Sequence, residues 1–498
     1  MLLTLTLILV TVRPMEVLYG SLPACMNGGD AHRSQGDRPR LKVIPEWQEP
    51  AVTADREAEK LHDARYGTAR RFVPMGTATF LFVHISSYRL GPSSFGVVGL
   101  GATDVFRYSN PAFFCSWHPH VATLAAPVVH CNGTAIQPDP RHVSFGRQYT
   151  GTVVSCDFAS PVGVDGAGGH LVVTATHGSD DLSALDDVMF VAKTESPGQY
   201  NASLFRAPYE FDHVYCGNGM YGDWVNPRRV REWLAYHVRY FGPRSHFFLY
   251  DAGALDDDVR KVLQPWVDLG RVTITNVRQE SRFSTHIHSQ FAILSDCLLR
   301  SRTLSTWTWF FDLDEYIVNP PGFDLQQTLE QVQKDFWGSN LKRVSLKQIP
   351  MDFKHCQRTA DPTKQESEWA IEKLVYRRTE AIELEGHMDR KSFVRSDSAL
   401  AMGPHEPPEG GMILAEGEDV GSVTIWTDKF SYYHYHGTTT RKDLELCQEL
   451  VDPGVNVTTF SDIEHQFETF QNVSHQLDLS MKAFAEEVKE FETSMIGS

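Results

Sequence analysis

Between residues 209 and 313 the chain alternates short apolar runs with helix-length amphipathic stretches, and few folds accommodate that rhythm. An extended run at 209–220 leads to Asn226-Pro227, where an Asn side chain can cap a helix and the proline ring presets its first turn. Val230, Leu234, His237 and Phe241 then recur at helical spacing until Gly242-Pro243 stops the run. Beyond it the pattern predicts strands at 246–250, 271–277 and 307–313, and helices at 255–269 and 288–301. Strands separated by such helices imply right-handed crossovers and a mainly parallel sheet. Ligands of these sheets lie beyond the carboxyl ends of the strands, so chemistry is expected after Tyr250, Val277 and Leu313.

The last of these segments carries the strongest signal. Trp307-Thr-Trp-Phe-Phe-Asp312-Leu-Asp314-Glu315 runs an aromatic strand into three carboxylates. Strand alternation sends Asp312 and Asp314 to one face. Negative charge gathered at the end of a buried strand is costly unless a cation neutralises it. Mn2+ or Mg2+ bound by one or two carboxylates, with a diphosphate completing the shell, meets that requirement. The plainer reading is an exposed acidic turn.

Upstream, short β-rich runs at 77–85, 95–100, 152–155 and 170–176 are separated by Gly, Pro, Asn and Asp clusters such as 163–169. They predict an all-β sandwich over 76–195. Its aromatics (Tyr88, Phe106, Tyr108, Phe113, Phe114 and Trp117) are core residues or a platform for sugar rings. Polar linkers are expected at 23–75 and 196–212, an α/β domain at 213–475, and an acidic amphipathic helix within 476–498. Residues 1–22 open with Leu2 to Val12, all Leu, Thr, Ile or Val, which reads as a secretory signal core or as a single membrane anchor. Sequons at Asn132, Asn201, Asn456 and Asn472 agree with passage through the secretory pathway. Eight widely spaced cysteines without a CxxC pair favour structural disulfides over a zinc ribbon, with the pairing open. A net charge of −17 argues against a general nucleic-acid binder. No run of about 20 apolar residues exists, so a multi-span membrane protein is excluded.

These motifs together carry a resemblance. Tyr215-Cys-Gly, Arg229-Val-Arg-Glu-Trp-Leu-Ala-Tyr-His, His246-Phe-Phe-Leu-Tyr-Asp251-Ala-Gly, Phe310-Phe-Asp-Leu-Asp-Glu, Gly403-Pro-His405 and Tyr432-Tyr-His-Tyr-His436 are similar to segments of plant glycosyltransferase family 92, the galactan β-1,4-galactosyltransferases. The resemblance implies an α/β GT-A (Rossmann-like) transferase domain behind a carbohydrate-binding-like β-sandwich. It further implies a UDP-galactose donor, inversion, and a β-1,4-galactan acceptor on pectin. The implied address is the Golgi membrane, reached by a single N-terminal type II anchor with the catalytic domain in the lumen, and a homodimer is compatible with it. The rival expectations are another UDP-sugar or a glycoprotein glycan acceptor, and a non-catalytic glycan-binding protein.

Roles follow residue by residue. Asp312 and Asp314 are expected at the metal and donor phosphates, with His434 completing the metal shell and His436 in reserve. Asp251 is expected to touch uridine or ribose, or else to cap the next helix. Of Gln290 and Asp296, six apart on one helix, Gln290 is expected to face the donor. His405 and Lys391 are candidates for donor phosphate or acceptor. An inverting transfer needs a base for the acceptor hydroxyl, expected at Glu372, with Glu368 and Asp352 as rivals.

Overall fold

The structure, a computed structural model, describes residues 73–76, 80–103, 111–121, 127–138, 147–176, 188–222, 225–283, 285–336, 340–358, 368–379, 390–439, 446–464 and 469–497. Both readings of the first residues and the expected linker at 23–75 as far as residue 72 lie outside that set, while 73–75 belong to the first strand. Among the described residues no helix is long and apolar enough to cross a membrane.

Eight strands come first: β1 (Val73–Gly76), β2 (Phe80–Arg89), β3 (Ser94–Ala102), β4 (Ala112–Pro119), β5 (Val129–Ile136), β6 (Tyr149–Asp157), β7 (Gly169–Thr176) and β8 (Val188–Glu195). They form one ladder in the order β1-β2-β3-β6-β5-β4-β7-β8. Alternate residues such as Phe82, Phe95, Phe113, Trp117, Val154, Leu171 and Phe190 meet in one interior. Phe82 stacks on Phe190 at 6.0 Å, so the sheet rolls until β8 approaches β2. The expected two-sheet sandwich is therefore one continuous rolled sheet, because twist accumulated over eight strands brings its ends together. Cys115–Cys156 staples β4 to β6 across β5. Of the six aromatics singled out, Tyr88, Phe113 and Trp117 are buried and Phe114 is exposed; Phe106 and Tyr108 lie outside the described residues.

The rest of the chain contains β9 (Phe211–Met220), α1 (Pro227–Phe241), β10 (Ser245–Asp251), α2 (Asp257–Asp268), β11 (Val272–Asn276), α3 (Gln290–Ser301), β12 (Ser305–Phe310), β13 (Glu315–Val318) and α4 (Leu325–Asp335). There follow β14 (Arg343–Pro350), β15 (His355–Gln357), α5 (Ala370–Lys373), β16 (Tyr376–Arg378), β17 (Arg390–Arg395), β18 (Thr424–His434), β19 (Glu449–Val451), β20 (Val457–Glu464), β21 (Thr469–Leu477) and α6 (Ser480–Ile496). A second eight-stranded sheet runs β11-β10-β9-β12-β17-β14-β18-β13. Its first four strands are parallel, as the helix-strand rhythm requires. β17 then enters antiparallel and makes the sheet mixed.

Every residue of β10 is buried, which a strand covered on both faces demands. Phe247 and Leu249 point to the core shared with α1 and α2, and Phe248 and Tyr250 to the core shared with α3. Asn226 caps α1 as its sequence suggests. Cys216–Cys297 ties β9 to α3, and Cys356–Cys447 closes a C-terminal loop.

Helix α3 also joins the two sheets. The outer face of the first sheet, through Val83, Val98, Leu100 and Val153, packs on Phe291, Ala292 and Leu299. At the centre Asp296 accepts hydrogen bonds from Ser86 Oγ (2.6 Å) and Tyr88 OH (2.8 Å) of β2 and from Tyr250 OH (2.9 Å) of β10.

Candidate active site

Strand β12 ends at Phe310, three residues earlier than its hydropathy suggests, and 312–314 form a turn before β13. Helix α1 fixes this turn. Trp233, Tyr236 and His237 share one helix face by their i, i+3, i+4 spacing. Trp233 Nε1 donates to Glu315 O (2.9 Å), Tyr236 OH to Ile317 O (2.7 Å), and Ile317 N to His237 Nε2 (3.3 Å). Tyr215 OH of β9 donates to Phe311 O (2.7 Å). Burial pushes the His237 imidazole down to about 3, so it stays neutral with Nδ1–H donated to Trp233 O (2.8 Å).

The two acids of the turn diverge. Asp312 accepts from Lys391 Nζ (2.7 Å), which arrives on β17, and from Asn218 Nδ2 of β9. Burial alone would raise the Asp312 carboxyl, but Lys391 outweighs it and holds the group below its ordinary value. Lys391 is itself buried, yet the Asp312 carboxylate keeps its ammonium charged by raising its pKa. Glu315 braces the turn from beneath: its Oε2 accepts from Asp312 N (2.7 Å), and burial pushes its carboxyl well above the usual range.

Asp314 turns instead toward β18. Gly437 N donates to its Oδ2 (3.0 Å), which leaves Oδ1 facing His434 Nε2 at 3.8 Å. His436 Nδ1 lies 3.3 Å from His434 Nε2, and ligand atoms of Asp314, His434 and His436 all fall within 4.8 Å of one another. Two nitrogen ligands of one cation, at bond lengths near 2.1 Å, stand about 3 Å apart, so the spacing fits an ion. Burial and His436 hold the His434 imidazole below its ordinary pKa although Asp314 pulls it up, and the neutral ring is the ligating form. Gln348 Nε2 lies 3.0 Å from His434 Nδ1; a cation on Nε2 requires the Gln348 amide turned over, so that its oxygen accepts from Nδ1–H. One carboxylate with two imidazoles suits Mn2+ better than Mg2+, which prefers oxygen. Among the described residues this is the group that gathers ligands, and it contains both candidate histidines but not Asp312.

His405 lies beside Lys391 and Asp312. Its Nδ1 donates to Arg390 O (2.9 Å), and burial with Lys391 lowers its pKa to about 4. A neutral ring with Nδ1–H engaged leaves Nε2 as an acceptor, suited to a hydroxyl and not to a phosphate oxygen.

Most of the remaining expected residues are engaged by other parts of the chain. Asp251 ends β10 with Oδ1 on Gly253 N (2.9 Å) and Oδ2 on Arg260 (3.1 Å) and Arg278 (3.0 Å); the cap of α2 is Asp256. Gln290 is buried at the start of α3, and the hydrogen bonds around Asp312 and Asp314 do not include it. Glu372 accepts from Trp369 N (2.6 Å) at the start of α5 and from Lys489 Nζ (2.5 Å) of α6, so its carboxylate docks the C-terminal helix. Asp352 is engaged by His355 and Lys354 N, and Glu368 by Lys482 at 3.4 Å. Asn218, Gln348 and Gly437 went unnoticed in the sequence. The Asn218-Gly219 bulge in β9 offers a faint signal for the first, and no local pattern marks the other two.

The sequence profile of glycosyltransferase family 92 matches residues 211–481, more than half of the chain. Galactan beta-1,4-galactosyltransferase GALS1 of Arabidopsis thaliana is 34% identical over 438 residues, which cover 86% of this chain and 79% of that protein. GALS3 of the same plant is 33% identical over 433 residues, covering 86% and 78%. A beta-1,4-galactosyltransferase of Caenorhabditis elegans, galt-1, is 24% identical over 111 residues, covering 22% and 26%. A profile that takes in the second sheet, the Asp312–Glu315 turn and both histidines, with relatives along most of the chain, places this protein in glycosyltransferase family 92.

Proposed function

We propose that the chain transfers galactose from UDP-galactose onto β-1,4-galactan, with Mn2+ held by Asp314, His434 and His436. The observation that carries the reading is the convergence of those ligands at the carboxyl end of the parallel strands, in a family 92 domain whose long-range relatives are named galactan galactosyltransferases. The parallel half-sheet, with its third, second, first and fourth strands in that spatial order, supports a GT-A, Rossmann-like assignment.

The donor is an α-linked galactoside and the product is β-linked, so a single displacement with inversion accounts for the stereochemistry. When bound, the cation supplies Lewis acidity where negative charge grows on the departing UDP. The protein's own part is preorganisation. Lys391 and Asn218 hold Asp312, Glu315 fixes the turn, and Gln348 stands against the far side of the His434 ring. His405 Nε2 offers an acceptor to a sugar or ribose hydroxyl. Three disulfides among the described residues support an oxidising compartment such as a Golgi lumen.

The test is incubation of purified protein with individual UDP-sugars, Mn2+ and labelled galacto-oligosaccharides, followed by sizing of the products. Extension with UDP-galactose, abolished by a chelator and restored by Mn2+, is the expected result. Extension only on glycoprotein glycans, or turnover indifferent to chelation, overturns it.

A further inference from the structure

The exposed face of the first sheet presents an apolar strip. Phe114 of β4 is 48% exposed, and Met189 and Val191 of β8 are 41% and 55% exposed. Phe114 pairs across β4 and β7 with Thr174, which pairs in turn with Met189, so the strip runs across three strands. On the opposite side of β4, Phe114 pairs directly with Asn132 of β5. Residues directly opposite in an antiparallel pair share a face with Cβ atoms about 5 Å apart. Asn132, Gly133 and Thr134 form a glycosylation sequon, and both Asn132 and Thr134 are exposed on the face that carries Phe114. By contrast, the Asn201 side chain is folded back onto Ser203, the hydroxyl residue of its own sequon.

We propose that Asn132 carries an N-linked oligosaccharide whose first N-acetylglucosamine residues lie on the Phe114 ring and cover the strip toward Met189. The modification requires a polyprenyl-diphosphate oligosaccharide donor and its transferase in the secretory pathway. The Asn132 amide nitrogen forms a bond to the anomeric carbon of the first sugar and loses a proton. The bond from that carbon to the lipid diphosphate breaks, and the diphosphate leaves with the electron pair. A sugar face rich in C–H groups laid on Phe114 removes apolar surface from water on both partners, which an exposed ring on the sheet otherwise leaves unfilled. The occupant of this face is then the chain's own glycan, and a free galactan chain is excluded from it. The inference does not depend on the transferase reading.

The experiment uses the full chain secreted from a eukaryotic host. Mass spectrometry of the Asn132 peptide before and after glycosidase treatment reads occupancy, and thermal melts of Phe114→Ala are compared in the native and Asn132→Gln backgrounds. We expect Asn132 to be occupied and Phe114→Ala to lower the melting temperature by about 2–4 °C only where the glycan is present. An unmodified Asn132, or the same shift in both backgrounds, overturns the proposal. Binding of soluble galactan to the glycosylated face also overturns it.

Discussion

Lys391 reaches from β17 to within 2.7 Å of Asp312, so one of the two acids in the Asp-Leu-Asp turn is neutralised by the protein itself. The other, Asp314, keeps an oxygen free toward His434 and His436. The pair thus separates into a half paired within the protein and a half that faces two histidines, and the consequences of losing each differ.

Asp312→Asn leaves the Lys391 ammonium buried beside a weakened partner, so it should lower stability with modest effect on Mn2+ affinity. Asp314→Asn should leave the melting temperature within a few degrees and weaken Mn2+ binding by at least about tenfold. Differential scanning fluorimetry and a Mn2+ titration followed by electron paramagnetic resonance separate the two. The double variant Asp312→Asn/Lys391→Met should recover stability lost in the single one, because the unpaired charge is gone.

Glu372 supplies a sharper test of function against packing. If it caps α5 and docks α6, as its contacts with Trp369 N and Lys489 imply, Glu372→Gln costs about 1–2 kcal/mol of stability and leaves kcat within about threefold. A general base lost at this position would instead lower kcat by about 10²–10⁴. Rate measurements below the melting transition decide between them.

Buried neutral histidines set the acid limit of the fold. Burial depresses His237 to about 3 and His213 to about 4, while the unfolded chain titrates near the ordinary 6.5. Between those values the unfolded state binds more protons, so stability is complete above about 6.5 and falls as the pH drops toward the folded pKa. Each group should cost about 2 kcal/mol between neutrality and about pH 5. Urea melts across this window should show the loss, and His237→Gln, which keeps a donor and an acceptor, should reduce its slope.

Asp296 is the joint between the sheets. Asp296→Ala removes the acceptor of Ser86, Tyr88 and Tyr250 and leaves Arg300, 3.7 Å away and equally buried, without its carboxylate. A loss of about 3–5 kcal/mol is expected. A chain starting after β8 exposes the Phe291 and Leu299 face of α3 and should be insoluble; a soluble, folded truncation detected by circular dichroism contradicts this.

The helix-strand rhythm from Phe211 to Phe310 was legible because period is a local property: the run from Val230 to Phe241 and the Asn226 cap are written in adjacent residues. The histidine-bearing end of β18 was legible in part, since Tyr432-Tyr-His-Tyr-His436 spaces two histidines two residues apart where the strand ends. What local pattern does not contain is the partner of Asp312, which arrives from a strand some 80 positions later. Nor does alternation apply to Asp312 and Asp314, because β12 stops at Phe310 and the turn re-aims each acid separately. Glu372 shows the same limit: its spacing from the turn says nothing of Lys489, which reaches its carboxylate from the last helix.

The most direct measurement is anomalous diffraction at the manganese edge from crystals grown with Mn2+ and UDP. The account predicts a single strong peak within bonding distance of Asp314, His434 and His436, with the diphosphate on its open side. A peak held by Asp312 and Glu315 without either histidine, or no ordered manganese beside a bound nucleotide, contradicts it.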